Sequence, residues 1–220
     1  MLPAIRYARA VPRAASSAYK PFFINTRSFS ATAVTLTKIS KSIKHDHQEL
    51  EKYYNNIKNS TTDEEKIAWR NQFTWELARH AIGEELVVYP AFEKLLPNGK
   101  ELADKDRRQH LEVKAYLQTF QNLEPEHVDF HKTLEALWTE LSQHIEEEEI
   151  EDLPALEKAL DETESKSMSK SFGRTKMFTP TRPHPNAPDK PPFETVFGLL
   201  AAPIDRLRDL FRKFPDETKS

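Results

Sequence analysis

HAIGEELVVYPAFEKLL, His80 to Leu96, is the stretch whose reading decides the fold, because it returns as HIEEEEIEDLPALEKAL, His144 to Leu160. Both copies read His-x-x-x-Glu, then a proline ten residues after the His, then Ala-x-Glu-Lys-x-Leu. A second pair recurs almost in step, HQELEKY from His47 and HLEVKAY from His110. The pattern is that of a duplicated helical hairpin. Each half carries one lone His and one His-x-x-x-Glu.

Helical periodicity extends from these motifs in both directions. Ile39, Ile43, His47, Leu50, Tyr54 and Ile57 recur in steps of four and three, which predicts a first helix over about 37–59. His47 lies inside that stripe, whereas His45 falls about 160° away on the same helix and is expected to be solvated or to act behind the inward-facing groups. A capping box at Thr62 to Glu65 opens a second helix to about Leu96, with a kink at Pro90. Gly83 inside that helix is expected to serve tight packing. Pro97-Asn98-Gly99 closes the hairpin. A third helix follows over about 101–123 and a fourth over about 126–160, kinked at Pro154. His110 joins Val113 and Leu117 on one face; His144 and Glu148 join Leu137 and Leu141 on another. His127 and His131 fall off that face. The expected fold is therefore an all-α, up-down-up-down four-helix bundle over residues 37–160.

The flanks differ in composition. Residues 1–45 contain eight Lys/Arg and no acidic residue, which leaves 24 basic and 35 acidic residues in the remainder. Residues 1–35, with spaced Arg and Lys among Ala, Ser and aromatics, have the composition of a mitochondrial transit peptide, with Arg27-Ser28-Phe29-Ser30 as the processing site. The matrix is the expected location. Residues 161–192 are Ser-rich and then Pro-rich, with six prolines over 180–192, and are expected to form a spacer in which His184 is solvated. Residues 193–215 carry the stripe Phe193, Phe197, Leu200, Ile204, Leu207, Phe211 beside Arg and Lys, split by Pro203. That segment is expected to dock back on the bundle, with contact to an anionic membrane surface or a protein partner as the alternative. The acidic bundle has no nucleic-acid motif, so nucleic acid is excluded as a partner. The absence of Cys excludes disulfides, thiolate-bound zinc and thiol catalysis.

In a helix, residues four apart differ by about 40° in direction and ~6 Å in rise. His80 with Glu84, and His144 with Glu148, can each aim at one point. With His47 and His110 they give four imidazoles and two carboxylates inside a bundle. Burying these groups without partners would be costly, and a metal centre would satisfy all six. Imidazole with carboxylate and no thiolate suits iron ahead of manganese or zinc. Six protein donors exceed a structural zinc site and fit a non-haem di-iron centre completed by oxo, hydroxo or water bridges, with an open position. Glu85 and Glu149, one residue on, stay open as alternatives to Glu84 and Glu148.

The order His47, His80/Glu84, His110, His144/Glu148 resembles the hemerythrin-like, HHE cation-binding family over about residues 38–160. That resemblance implies a non-haem di-iron centre with O2 or NO binding, iron handling or sensing as roles, and oxidase or peroxidase activity if the chain is an enzyme. Oxygen-carrying hemerythrins place a second His four residues after the third-helix ligand, where this chain has Lys114. They place a carboxylate five residues after the last His, where Glu149 stands. The lost His opens one iron or leaves it to water, which shifts the expectation from reversible O2 carriage to iron or redox sensing. The opposing reading is an interaction module with a purely structural metal. Replacing His80 or His144 by Ala is expected to reduce metal content sharply by elemental analysis, whereas the same change at His45, His127 or His131 leaves it intact.

Overall fold

The computed structural model describes residues 37–186 and 193–216. The basic stretch 1–35 lies outside the described residues, as do 187–192 of the proline-rich run. Among the described residues every regular element is a helix.

Helix α1 (Ile39–Asn59) buries the expected stripe from Ile39 to Ile57, with His47 in it. Its own Lys38 offers no side-chain cap. Instead the Ile39 N–H donates to Ser165 Oγ at 3.0 Å and the Ser40 N–H to Glu157 Oε1 at 3.1 Å. Free N–H groups at a helix start need acceptors, and a carboxylate there also complements the helix dipole. Helix α2 (Asp63–Val87) opens at the capping box between Thr62 and Glu65. It breaks at Val88, because Pro90 has no N–H to continue the ladder, and α3 (Tyr89–Leu95) resumes with Pro90 in its first turn. Helix α4 (Gly99–Phe120) starts where its glycine nearly touches the end of α3. A Cβ on Gly99 would stand 1.7 Å from the Phe92 carbonyl oxygen, so only Gly fits there.

The fourth helix begins later than its periodicity suggests. Residues after Pro125 form turns, and α5 runs Phe130–Glu147. It passes into a π-helical turn, Glu148–Asp152, in which the Leu153 N–H reaches back to the Glu148 carbonyl, and then into α6 (Leu153–Ala159). The two repeats thus absorb the same proline differently, one by a break at Val88 and the other by a widened π turn of the same length in sequence. A π turn widens the helix locally and re-aims side chains.

Helix α1 packs on α2, α2 on α4, α4 on α5 and α5 on α1, which closes a helical bundle. Its interior has two apolar clusters. One is built around Leu50, Phe73, Leu117 and Leu137, the other around Ile43, Tyr89, Phe92 and Leu156. In sequence the six expected donors lie between members of the two clusters on every helix of the bundle. His47 sits between Ile43 and Leu50, His80 and Glu84 between Leu77 and Val88, His110 between Ala103 and Val113, and His144 and Glu148 between Leu141 and Leu153.

Residues 161–176, expected as the start of a spacer, instead form α7 (Glu162–Lys176), opened by a capping box between Asp161 and Glu164. Its buried face is Ser165, Ser169, Phe172 and Lys176, in steps of four, three and four, set against α1 and α2. The period is helical, but three of the four positions are polar and give no hydrophobic signal. Gly83 is where α2 admits this helix: a Cβ there would lie 2.8 Å from Phe172 and 3.2 Å from Lys176. Packing is its role.

Helix α8 (Phe193–Asp209) runs through Pro203 without the expected split; Pro203 is exposed, and water can serve the carbonyl it leaves free. It is tied back through polar groups. Thr181 donates to Asp209 at 2.6 Å, His184 lies 2.9 Å from Asp205, and the Asn71 amide donates to the Lys213 carbonyl at 2.8 Å. His184 is therefore paired and not merely solvated. Among the described residues of the expected docking stripe, Leu200, Ile204, Leu207 and Phe211 are exposed. The apolar edge faces out because Ala202 and Asp205 occupy the inner side.

Gly83→Leu should displace Phe172 and cost about 1–3 kcal/mol of overpacking. Gly173→Ala, whose Cβ meets nothing within 4 Å, should instead gain up to about 1 kcal/mol of helix propensity. Thermal melts of the two variants test the pair.

Candidate metal centre

Helix phase brings all six expected donors into the buried layer. His47, His80, His110 and His144 are at most 3 % exposed, and Glu84 and Glu148 are fully buried. Two sets have donor atoms within 4.8 Å of one another: His47 with His80 and Glu84, and Glu84 with His110 and His144. Glu84 belongs to both. Glu148 completes the group from the other side, its Oε2 3.3 Å from His47 Nε2.

The four imidazoles are oriented alike. Each turns Nε2 inward. His80 Nε2 is 3.2 Å from Glu84 Oε1, His110 Nε2 is 3.4 Å from Glu84 Oε2, and His110 Nε2 is 3.1 Å from His144 Nε2. Each turns Nδ1 outward to an anchoring oxygen. His47 Nδ1 meets Glu149 at 2.9 Å, His80 meets Asp46 at 3.2 Å, His110 meets Glu85 at 3.1 Å and His144 meets the side-chain oxygen Oε1 of Gln109 at 3.1 Å. Holding Nδ1–H fixes the tautomer and leaves the Nε2 lone pair for a ligand, the arrangement seen around metal-binding histidines. Of the adjacent glutamates, Glu84 and Glu148 lie against inward Nε2 atoms, while Glu85 and Glu149 stand behind His110 and His47.

The anchors are themselves held. Lys114 donates to both Glu85 oxygens at 2.6 Å. The Gln109 amide donates to Glu147 at 2.9 Å, and Lys44 pairs with Glu149 at 3.2 Å. Asp46 takes the buried ammonium of Lys176, which also contacts Glu76. Helix α7 therefore reaches the centre through Lys176 and Asp46 to His80, and its Phe172 ring packs edge-on to His80. The Tyr89 hydroxyl, fully buried, lies 2.9 Å from His110 Nε2.

The charge balance of this layer is strained. Burial alone would depress His47, but the carboxylates of Glu148 and Glu149 raise it to about 9. Burial and the charge of Glu148 push Glu84 well above the usual carboxylate range. Burial would do the same to Glu148, yet His47 and the neighbouring imidazoles hold it at about 2. Burial and the charge on His110 lower His144 to about 3, and burial lowers His80. Asp46 lies well below its ordinary value, because Lys176 and His80 outweigh its burial. Meanwhile both oxygens of Glu84, both of Glu148 and Nε2 of His47 are buried without a hydrogen-bond partner, close to one another but not bonded. Buried polar atoms in folded proteins are ordinarily paired. Lone pairs converging on one space, from hard oxygen and borderline nitrogen donors, are what a divalent or trivalent cation requires. The residues present fit a metal.

The other histidines are elsewhere. His45 is exposed beside Glu49 at 3.7 Å, and His127 and His131 are exposed. Sequence reasoning missed Tyr89, Lys176 and the anchors Asp46 and Gln109. Asp46 and Gln109 each stand directly before a donor histidine, and that adjacency was a usable signal.

The sequence pattern of the family described as Hemerythrin HHE cation binding domain matches residues 38–156, more than half of the chain. The chain belongs to the hemerythrin HHE cation-binding family. Helices α7 and α8 lie beyond the matched stretch. An uncharacterized hemerythrin-like protein of Schizosaccharomyces pombe is 52 % identical over 181 residues, covering 82 % of this chain and 89 % of that one. The similarity thus continues past the HHE domain. A crystal structure of a hemerythrin HHE cation binding domain-containing protein from Mycobacterium kansasii shares the fold at 17 % identity, with a TM-score of 0.56, over 64 % of this chain and 86 % of that one.

Asp46→Ala removes the oxygen that orients His80. It should weaken metal binding about 10–100-fold, measured by competition against a chelator of known affinity.

Proposed function

We propose that this hemerythrin-like bundle holds two non-haem irons and uses them to bind a small diatomic ligand, O2 or NO, or to sense iron itself. The observation that carries this reading is the common orientation of four imidazoles, Nε2 inward and Nδ1 anchored, around two buried carboxylates with no other partner. His47, His80, Glu84, His110, His144 and Glu148 would hold the metal, with the helices alternating up-down-up-down around it. Iron supplies ligand binding and one-electron chemistry when present. The protein contributes orientation, charge and a dry site.

Lys114 supports sensing or small-ligand binding over stable O2 carriage. It stands four residues after His110, where oxygen carriers have another histidine, and it clamps Glu85 instead of offering a neutral donor. One coordination position is thereby left to a small ligand or water. The Tyr89 hydroxyl beside His110 is a hydrogen-bond group within that space. The composition of residues 1–35 supports delivery to the mitochondrial matrix. The exposed apolar edge of α8 supports a second reading, in which the metal is structural and the tail meets a membrane or a protein.

Elemental analysis and optical spectra of the purified full chain separate the two. Two irons per chain, with near-ultraviolet bands that change on adding azide or NO, are expected. One zinc per chain with no spectral response overturns the di-iron reading in favour of the structural one.

A further inference from the structure

The six donors do not account for every buried acid in the polar layer. Asp106 lies one turn before His110 on α4, and Asp152 one turn after Glu148, at the end of the π turn. Helical spacing therefore sets both on the faces that carry donors. Asp106 is fully buried, and neither of its carboxylate oxygens has a hydrogen-bond partner. Asp152 is 4 % exposed, and its Oδ2 has none. Burial and then the charge of Asp152 push Asp106 up to about 8. Burial and the charge of Glu148 push Asp152 to about 6, against the pull of Lys105. Both lie on the same side of the donor layer in sequence, Asp106 between Ala103 and His110 and Asp152 between Glu148 and Leu153, and Lys105 beside Asp106 is paired with Glu147 at 2.7 Å.

A core has no packing reason to bury two acids with unpaired oxygens in one layer, since each such group costs free energy. The surrounding chain gives them a use. The same segment also carries Glu146 and Glu151 exposed at the surface, and exposed acids raise the local concentration of cations. Carboxylates alone hold an aquated divalent ion weakly, while mixed imidazole and carboxylate donors hold iron more firmly. An ion at Asp106 and Asp152 would move inward downhill.

We propose that Asp106 and Asp152 form a separate divalent-cation site that receives a hydrated ferrous ion and passes it to the His/Glu centre. The transfer half of this inference rests on the di-iron reading; the cation site itself does not. The π turn is then what sets Asp152 behind Glu148, the donor nearest the entry.

The test uses the metal-free full chain, wild type and an Asp106→Asn/Asp152→Asn double variant. Circular dichroism and thermal melting confirm that the variant folds; the isosteric amides remove two buried like charges and should not lower its melting temperature. Ferrous ion is mixed rapidly with each protein, and the rise of the iron absorption is followed. Bound Mn2+ is counted separately by equilibrium dialysis. Loading at least tenfold slower in the variant, together with loss of one weakly bound Mn2+ per chain, is the expected result. Equal loading rates and equal Mn2+ counts overturn the inference while leaving the di-iron reading intact. If the wild type takes up no iron yet shows a weak Mn2+ site that the variant lacks, the di-iron reading and the transfer step fall but the cation site stands. If neither protein binds either ion, both are overturned.

Discussion

A band of ionisable side chains crosses the middle of a helical bundle whose two ends are apolar, and the rest of the structure answers to it. Four imidazoles and two carboxylates cannot be left dry and unpaired. The apolar clusters above and below exclude water from the band. Its charges are therefore balanced by protons in the metal-free chain, as the raised His47 and Glu84 indicate, or by a cation. Anchoring every Nδ1 makes the second solution ready in advance. The rings need not turn to bind.

The cost of that readiness is spread outward from the centre. Glu85 needs Lys114, Glu149 needs Lys44, and Asp46 needs Lys176. Lys176 arrives on a helix beyond the stretch that defines the family. Helix α7 also caps the start of α1 through Ser165 and fills the notch at Gly83 with Phe172. It is a structural part of the centre as much as an appendage to the bundle. The next segment is fixed differently. Helix α8 is held by Asp205, Asp209 and the Lys213 carbonyl just beyond it, which leaves Leu200, Ile204 and Leu207 outside. A stripe of alternating fours and threes predicts an amphipathic helix. It does not say which edge meets the bundle when short polar groups compete for the same contact.

The sequence by itself determined the helical class, the repeated motif, the interruptions near Pro90 and Pro154, and the four inward histidines. These are readable because a helix repeats every 3.6 residues, so spacing alone fixes which side chains share a face. His47 against His45 follows from phase; Glu148 against Glu149 stayed open until the structure set Glu149 behind His47. Only the tertiary structure decided what stands behind those donors and what closes over them. Asp46 and Gln109 stand beside donor histidines in sequence, yet each holds a histidine of another helix, and Lys176 arrives from α7; no periodicity encodes which partner each one meets. Helix α7 is the clearest instance. Its inner face of Ser165, Ser169, Phe172 and Lys176 has helical spacing without hydrophobic contrast, since it is buried by hydrogen bonds and an ion pair. A face of that kind is recognisable only once its partners are in place.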